Sequence, residues 1–423
     1  MSVAVRPDAR AKAAGAVPYG MDLTRPGMLF GALVLAPPPR GRLRSVDLSG
    51  ATARPGVVAI AAGDLPSLRG DGPTDAERPI FPREGEEIAY PYQPLAAVAA
   101  PTLAEARDAA AAVRVRIDPA APVARPTGEG PAGETIAHVH ARHGDVEAAF
   151  ASADLVLTET YTTAGVLQVA LEPHAAIGEV DEASGRWTVR TSTQSPFGVR
   201  EDLAAALGVP EERIVVHATW VGGGFGGKGS VLLEPYALLL ARAAGRPVRL
   251  ALTYREEFLL GRSTLPTFVR IASSVRGGAI TGRRILWRLD AGASLPGRDF
   301  AAGYGIGFLA GPYRVPAIEL EGYAIRTGKP PLGPHRAPLA PQGAFVAESH
   351  MDHLAERLGE DSAAFRERHA WREGDRTHLG QPVGPFGLAE CFARARALAD
   401  RWRRDRGPSE GIGIGAGFWS TGT

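Results

Sequence analysis

The sequence holds a single cysteine, Cys391, among 423 residues. One thiol cannot build a disulfide framework, nor can it hold an iron–sulfur cluster, which draws several thiolates from its protein. The surrounding Leu388-Ala-Glu-Cys-Phe-Ala-Arg reads as helix, where the thiol is expected to serve as a small buried hydrophobe. Net charge is almost absent. The balance of 47 basic and 46 acidic residues leaves +1, which argues against an electrostatic nucleic-acid binder. No apolar run approaches the roughly 20 residues of a membrane span. The N-terminus also lacks the apolar core of a secretory signal. These absences predict a soluble, cytoplasmic protein with neither nucleic acid nor membrane as partner. The length exceeds what one hydrophobic core normally serves, so two or three domains are expected.

Glycine, by contrast, is plentiful, and its densest run is Val221-Gly-Gly-Gly-Phe-Gly-Gly-Lys228. Glycine reaches backbone angles closed to other residues and has no Cβ to hold a ligand away from the main chain. Successive backbone N–H groups in such a loop form an anion-binding concavity. The run predicts a large, flat, negatively charged ligand lying against bare backbone. A phosphate-binding loop would read G-x-x-x-x-G-K and then Ser or Thr, but Gly229 follows Lys228 and Ser230 comes one place late. The second glycine cluster, Gly411-Ile-Gly-Ile-Gly-Ala-Gly417, contains G-x-G-x-x-A but lacks the helix and downstream acid of a dinucleotide site.

Periodicity places the loop within a mixed α/β, α+β-type arrangement. Met28–Leu35, Gly56–Ile60 and Leu95–Ala99 read as strands, and Ala104–Val113 as helix, in a small first domain spanning 1–130. A Pro/Gly-rich boundary from Pro119 to Gly133 leads to a second domain, 131–380. There Trp187–Ser192 alternates as a strand, Ser195-Pro196 opens a helix through Leu207, and Gly208 closes it. Arg213–Trp220 is a strand that delivers the chain into the glycine loop. Val231–Ala244 is the following helix, stopped by Gly245, and Pro247–Leu252 the next strand. Later helices cover Gly343–Leu358 and Asp361–Ala370, and 381–423 begins a further unit.

In order and wording these segments resemble the molybdenum-cofactor-binding subunit of the xanthine dehydrogenase / aldehyde oxidase family. Thr193-Gln-Ser-Pro with Arg200 and Leu207-Gly208, the glycine loop itself, Gly245-Arg-Pro-Val, and Arg255-Glu-Glu257 all match. Pro312-Tyr-Arg-Val-Pro316, Thr327, Arg336 with Pro341-Gln342, and Glu348, Met351-Asp352 and Leu354-Ala355 follow in sequence. Met28-Leu, Ser45-Val-Asp47, Pro55-Gly-Val57 and Gln93-Pro-Leu-Ala96 resemble the family's α/β hammerhead domain. The resemblance implies a hammerhead domain, then a first molybdopterin-binding domain, then only the start of a second, with Glu410–Gly417 as its opening strand. It implies a molybdopterin cofactor, as such or as its cytosine dinucleotide, contacted by Gly223, Gly224, Phe225, Gly226 and Arg336, with Phe225 and Arg336 near the metal. In the family a glutamate base activates a metal-bound hydroxide, and the electrons leave through 2Fe-2S clusters to FAD. That base lies in the second cofactor domain, so no catalytic residue is expected in this chain. Its implied partners are a carboxy-terminal half, an iron–sulfur subunit, a FAD subunit and a small-molecule substrate.

Departures from the family's purine-oxidising branch narrow the expectation. The positions of its metal-facing glutamine, substrate glutamate, substrate arginine and ring-stacking phenylalanine are here Val166, Gly229, Tyr304 and Pro338. Ala337 stands where the carbon monoxide dehydrogenase branch binds copper through cysteine. An aldehyde or N-heterocycle is the expected substrate, and a non-catalytic scaffold that keeps the fold is the alternative. Elsewhere, His138, His140 and His143 are expected in a solvated interdomain linker rather than at a metal. His350 and His353 are read as packing residues, and Glu256 and Glu257 as carboxylates favoured at a helix start. Lys228 is expected either to pair with the cofactor's charge or to snorkel at a helix start.

Overall fold

The computed structural model describes residues 6–37, 40–64, 80–121, 133–295 and 303–419 apart from 304 and 306. Tyr304 and most of the Pro119–Gly133 stretch therefore lie outside the described residues. The first part of the chain forms β1 (Leu29–Leu35), β2 (Gly41–Asp47), β3 (Val58–Ala61), β4 (Glu87–Ile88), β5 (Pro94–Ala100) and β6 (Arg114–Pro119). Next come β7 (Glu134–His143), β8 (Leu155–Thr163), β9 (Ala175–Asp181), β10 (Arg186–Thr191) and β11 (Ile214–Ala218). The last are β12 (Val248–Ala251), β13 (Thr267–Arg276), β14 (Ala279–Asp290) and β15 (Ala317–Arg326).

These strands make three sheets: seven strands in the order β11-β10-β9-β12-β1-β5-β3, five in the order β7-β15-β14-β13-β8, and three in the order β4-β2-β6. The seven-stranded sheet draws on both ends of the region, because β1 pairs in parallel with β12, Leu29 opposite Val248. Strand β5 lies between β1 and β3 and is buried along its whole length. Its unbroken small-apolar sequence suits a strand covered on both faces. One cover is the helix Leu103–Ala112, with Ala109 against Val34, Ala96 and Val98.

The other cover is built from the helices Pro196–Leu207 and Glu234–Ala244. Their Leu203, Leu207, Leu238 and Leu240 pack with Leu29, Val189, Val248 and Leu250. Truncating such a leucine costs about 2–5 kcal/mol. Gly178 in β9 allows the second helix this close, since a Cβ there would stand 2.5 Å from the Ala237 backbone. The five-stranded sheet packs Val269, Ile271, Ile285, Trp287 and Leu320 against the helix Ala340–Leu358, chiefly Val346, Met351 and Leu354.

Three expectations are corrected here. The His138-x-His140 stretch is no linker: it is β7, and alternation in an extended strand puts both rings on one side, His138 stacked on Tyr323 and His140 near Glu319. Cys391 is exposed, because the helix Leu388–Asp405 turns Phe392 and Ala399 inward and leaves the thiol off that stripe. Glu410–Gly417 forms no strand: it pairs with none of the described strands, and only Ala416 and Ile414 settle against the core. No helix among the described residues is long and apolar enough to cross a membrane.

Candidate functional site

The glycine loop leaves β11 after Ala218 and reaches the helix at Glu234, so its N–H groups are not those of a helix start. An inner layer of side chains fixes it. Gln194 Oε1 accepts the Gly226 N–H at 2.9 Å and the Lys228 N–H at 3.3 Å. Glu172 Oε2 accepts the Gly222 N–H at 2.7 Å and the Lys228 ammonium at 2.9 Å. His174 stands beneath, with Nε2 3.1 Å from the Gly227 carbonyl and Nδ1 2.7 Å from Glu257 Oε1. Burial would raise the Glu257 carboxyl, but hydrogen bonding and charge from His174 outweigh it and hold it below the ordinary value.

Once these bonds are made, the N–H groups of Gly223, Gly224 and Phe225 have no acceptor among the described residues. Three adjacent donors left open on a braced loop form a nest for an anionic or oxo group. Glycine is required where the loop is tightest. Gly226 has φ of 98°, and a Cβ on it would meet the Pro334 carbonyl at 2.6 Å. A Cβ on Gly224 would overlap Gln194 at 2.3 Å and displace the brace.

A second segment, distant in sequence, closes against the first. The Arg336 N–H donates to the Phe225 carbonyl at 2.9 Å, while Gln168 Nε2 donates to the carbonyls of Pro334 and Arg262. The five expected contact residues, Gly223, Gly224, Phe225, Gly226 and Arg336, are thus brought together. Gly226 differs from its neighbours, because its N–H is already engaged by Gln194. The Arg336 side chain is exposed and has no side-chain partner among the described residues. Of the five described non-glycine residues with positive φ, Val169, Phe225, Ala337 and Leu339 all belong to these segments or to the adjoining 164–172 stretch. Strain concentrated in this way marks functional surfaces.

The rim is apolar. Val166, Val169, Leu171, Phe225 and Phe258 all expose their side chains, Leu171 to 87%. Val166 makes its backbone bonds with Thr264 and presents no polar group. Ala337 and Pro338 line the second segment, and Gly229 ends the first.

Lys228 is not a snorkelling residue of a helix start. It lies six residues before the helix and is only 2% exposed, and its ammonium is engaged by Glu172 rather than facing the open nest. Glu256 does act at the helix start, in a capping box with Thr253, whereas Glu257 turns inward to His174. Residue type and spacing alone do not single out Glu172, Gln168, Gln194 and His174 as site residues. Only the resemblance of the Thr193-Gln-Ser-Pro segment pointed to any of them.

A strand, a strained glycine loop and a second backbone segment together present a row of open main-chain donors. The chain belongs to the molybdopterin cofactor-binding domain family, whose profile matches residues 130–370; the aldehyde oxidase and xanthine dehydrogenase a/b hammerhead domain profile matches residues 14–120. It is 29% identical over 391 residues to a probable xanthine dehydrogenase subunit from Bacillus subtilis, covering 90% of this chain and 52% of that protein. It is 28% identical over 413 residues to the nicotinate dehydrogenase large molybdopterin subunit of Eubacterium barkeri, covering 93% and 95%. The chain thus spans about half of the first relative and nearly all of the second. The aldehyde oxidoreductase structure from Desulfovibrio gigas has the same fold, at a TM-score of 0.86 and 24% identity, over 96% of this chain and 47% of that one.

Proposed function

We propose that this chain is the cofactor-cradling component of a molybdenum hydroxylase that oxidises an aldehyde or N-heterocycle with oxygen from water. The observation that carries the reading is the row of open N–H groups on Gly223, Gly224 and Phe225, held by bonds that leave them no other acceptor among the described residues. When bound, molybdopterin supplies the metal-centred oxidation chemistry. The chain's own residues bind and orient: the three N–H groups would meet an oxo or pterin oxygen, Phe225 would exclude water, and Arg336 would add positive charge. The cofactor would be molybdopterin as such or as its cytosine dinucleotide.

Glu172 and Glu257, the carboxylates beside the loop, are both buried and engaged, so the base would come from another segment. That segment would also cover the apolar rim. A carboxy-terminal cofactor domain fits this need, with 2Fe-2S and FAD subunits taking the electrons, since one cysteine cannot hold a cluster. Val166 and Pro338 favour a substrate gripped by apolar contact over a purine held by hydrogen bonds. Val166 also keeps a second reading in view, a scaffold that binds without turnover, because its side chain cannot donate to an oxo ligand. Co-purification with the products of adjacent genes and metal analysis tests the proposal. About one molybdenum per chain supports it, and metal absent from every preparation overturns it. Bound metal without oxidation of any aldehyde or N-heterocycle would favour the scaffold.

A further inference from the structure

Glu172 sits where three segments far apart in sequence meet. Its Oε1 accepts the Gly20 N–H at 2.9 Å, from the stretch that precedes β1. Its Oε2 accepts the Gly222 N–H and the Lys228 ammonium, and Lys228 also donates to the Glu172 carbonyl at 2.8 Å. The N-terminal stretch is held there a second time, by a bridge between Tyr19 and Trp220, with the Lys12 ammonium over the Trp220 ring. Both charged side chains are shielded from water, at 6% exposure for Glu172 and 2% for Lys228.

A buried ion pair is a poor route to stability, because apolar residues of similar volume often serve as well or better. What this pair does fix is geometry. Gly222 and Lys228 are the two ends of the nest, and one carboxylate holds both. We propose that Glu172 and Lys228 are a positioning pair that clamps both ends of the loop to the N-terminal stretch, so that the Gly223, Gly224 and Phe225 donors converge before a ligand arrives. The proposal rests on the cofactor reading of the loop. The polar atoms of both side chains are already bonded within the protein. Preorganised donors bind more tightly because less freedom is lost on binding.

The test uses the full chain produced with its partner subunits, as wild type, Glu172→Gln and Lys228→Met. Glu348→Gln is the matched control, since it breaks another largely buried ion pair, to Arg366, midway along the helix Ala340–Leu358. Three quantities are measured: molybdenum and pterin per chain, amide exchange of the 219–230 peptide, and melting temperature. The expected result is at least a tenfold loss of cofactor and faster loop exchange in both loop variants. The control should keep its cofactor and its loop protection despite a lowered melting temperature. Wild-type cofactor content in the loop variants, or an equal loss in the control, overturns the proposal. If the wild type itself carries no cofactor, the cradle reading fails separately. Exchange in the metal-free chain then still decides the clamp, and unchanged loop protection in Glu172→Gln would refute it.

Discussion

Gly226 must be glycine for two independent reasons, its φ of 98° and the Pro334 carbonyl 2.6 Å from where a Cβ would stand. Gly226→Ala should therefore push the loop off the second segment and lower cofactor content about tenfold or more, a loss of roughly 1.4 kcal/mol or more in binding. Metal analysis alongside an unchanged far-ultraviolet spectrum checks it. Two buried imidazoles make a different prediction. Burial lowers both His350 and His369 to about 4, and each fits as the neutral ring: His369 Nδ1 donates to the Phe365 carbonyl while Nε2 accepts from Ile280 N–H. Unfolded histidine titrates near 6.5, so between about 6.5 and 4 the unfolded chain binds more protons and stability falls as pH falls. Melting temperature should drop across that window, and His350→Gln should make the decline shallower. The sequence made the glycine loop and Arg336 legible because their residue types are unusual in themselves. Glu172 and Lys228 were not legible as a pair: a carboxylate and an ammonium 56 positions apart leave no spacing signal, and only the fold shows that they share a bond.

Helix ends were the best-read elements. Gly208 and Gly245 close their helices at φ of 62° and 59°, as a glycine stop requires. The helix Tyr254–Leu260 carries Glu257 on its inner side and Phe258 at the rim, and Thr253 caps it reciprocally with Glu256. Thr253→Ala should cost about 1 kcal/mol in urea unfolding, and retention of most of the bound cofactor would separate the cap from the His174 bond. Elements whose identity depends on a distant neighbour were misread. Histidines at 138 and 140 look like linker until β15 pairs alongside them. Residues 410–417 look like strand, yet a strand exists only where another edge meets it. The outward placement of Cys391 followed from which side of its helix found a core, and a local stretch of helical sequence does not tell that.

At the scale of the whole molecule, the exposed Leu171, Val169 and Phe258 surround the surface where backbone strain is concentrated. Apolar patches of this kind mark contact surfaces or aggregation liabilities. The chain produced alone should therefore self-associate, and Leu171→Ser with Phe258→Ser should shift it toward monomer in light scattering. A rim that stays monomeric without substitution would count against a covering segment.

The pairing of Leu29 with Val248 also sets a timetable for synthesis. Strand β1 must wait for more than 200 further residues before its parallel neighbour exists. At ribosomal rates of about 5–20 residues per second, that delay is roughly 10 to 40 s. During it β1 can hold only β5, and the apolar edge meant for β12 stands open to other nascent chains. The joint that makes one sheet from two ends of the polypeptide is thus also the place where a chaperone has the longest opportunity to bind.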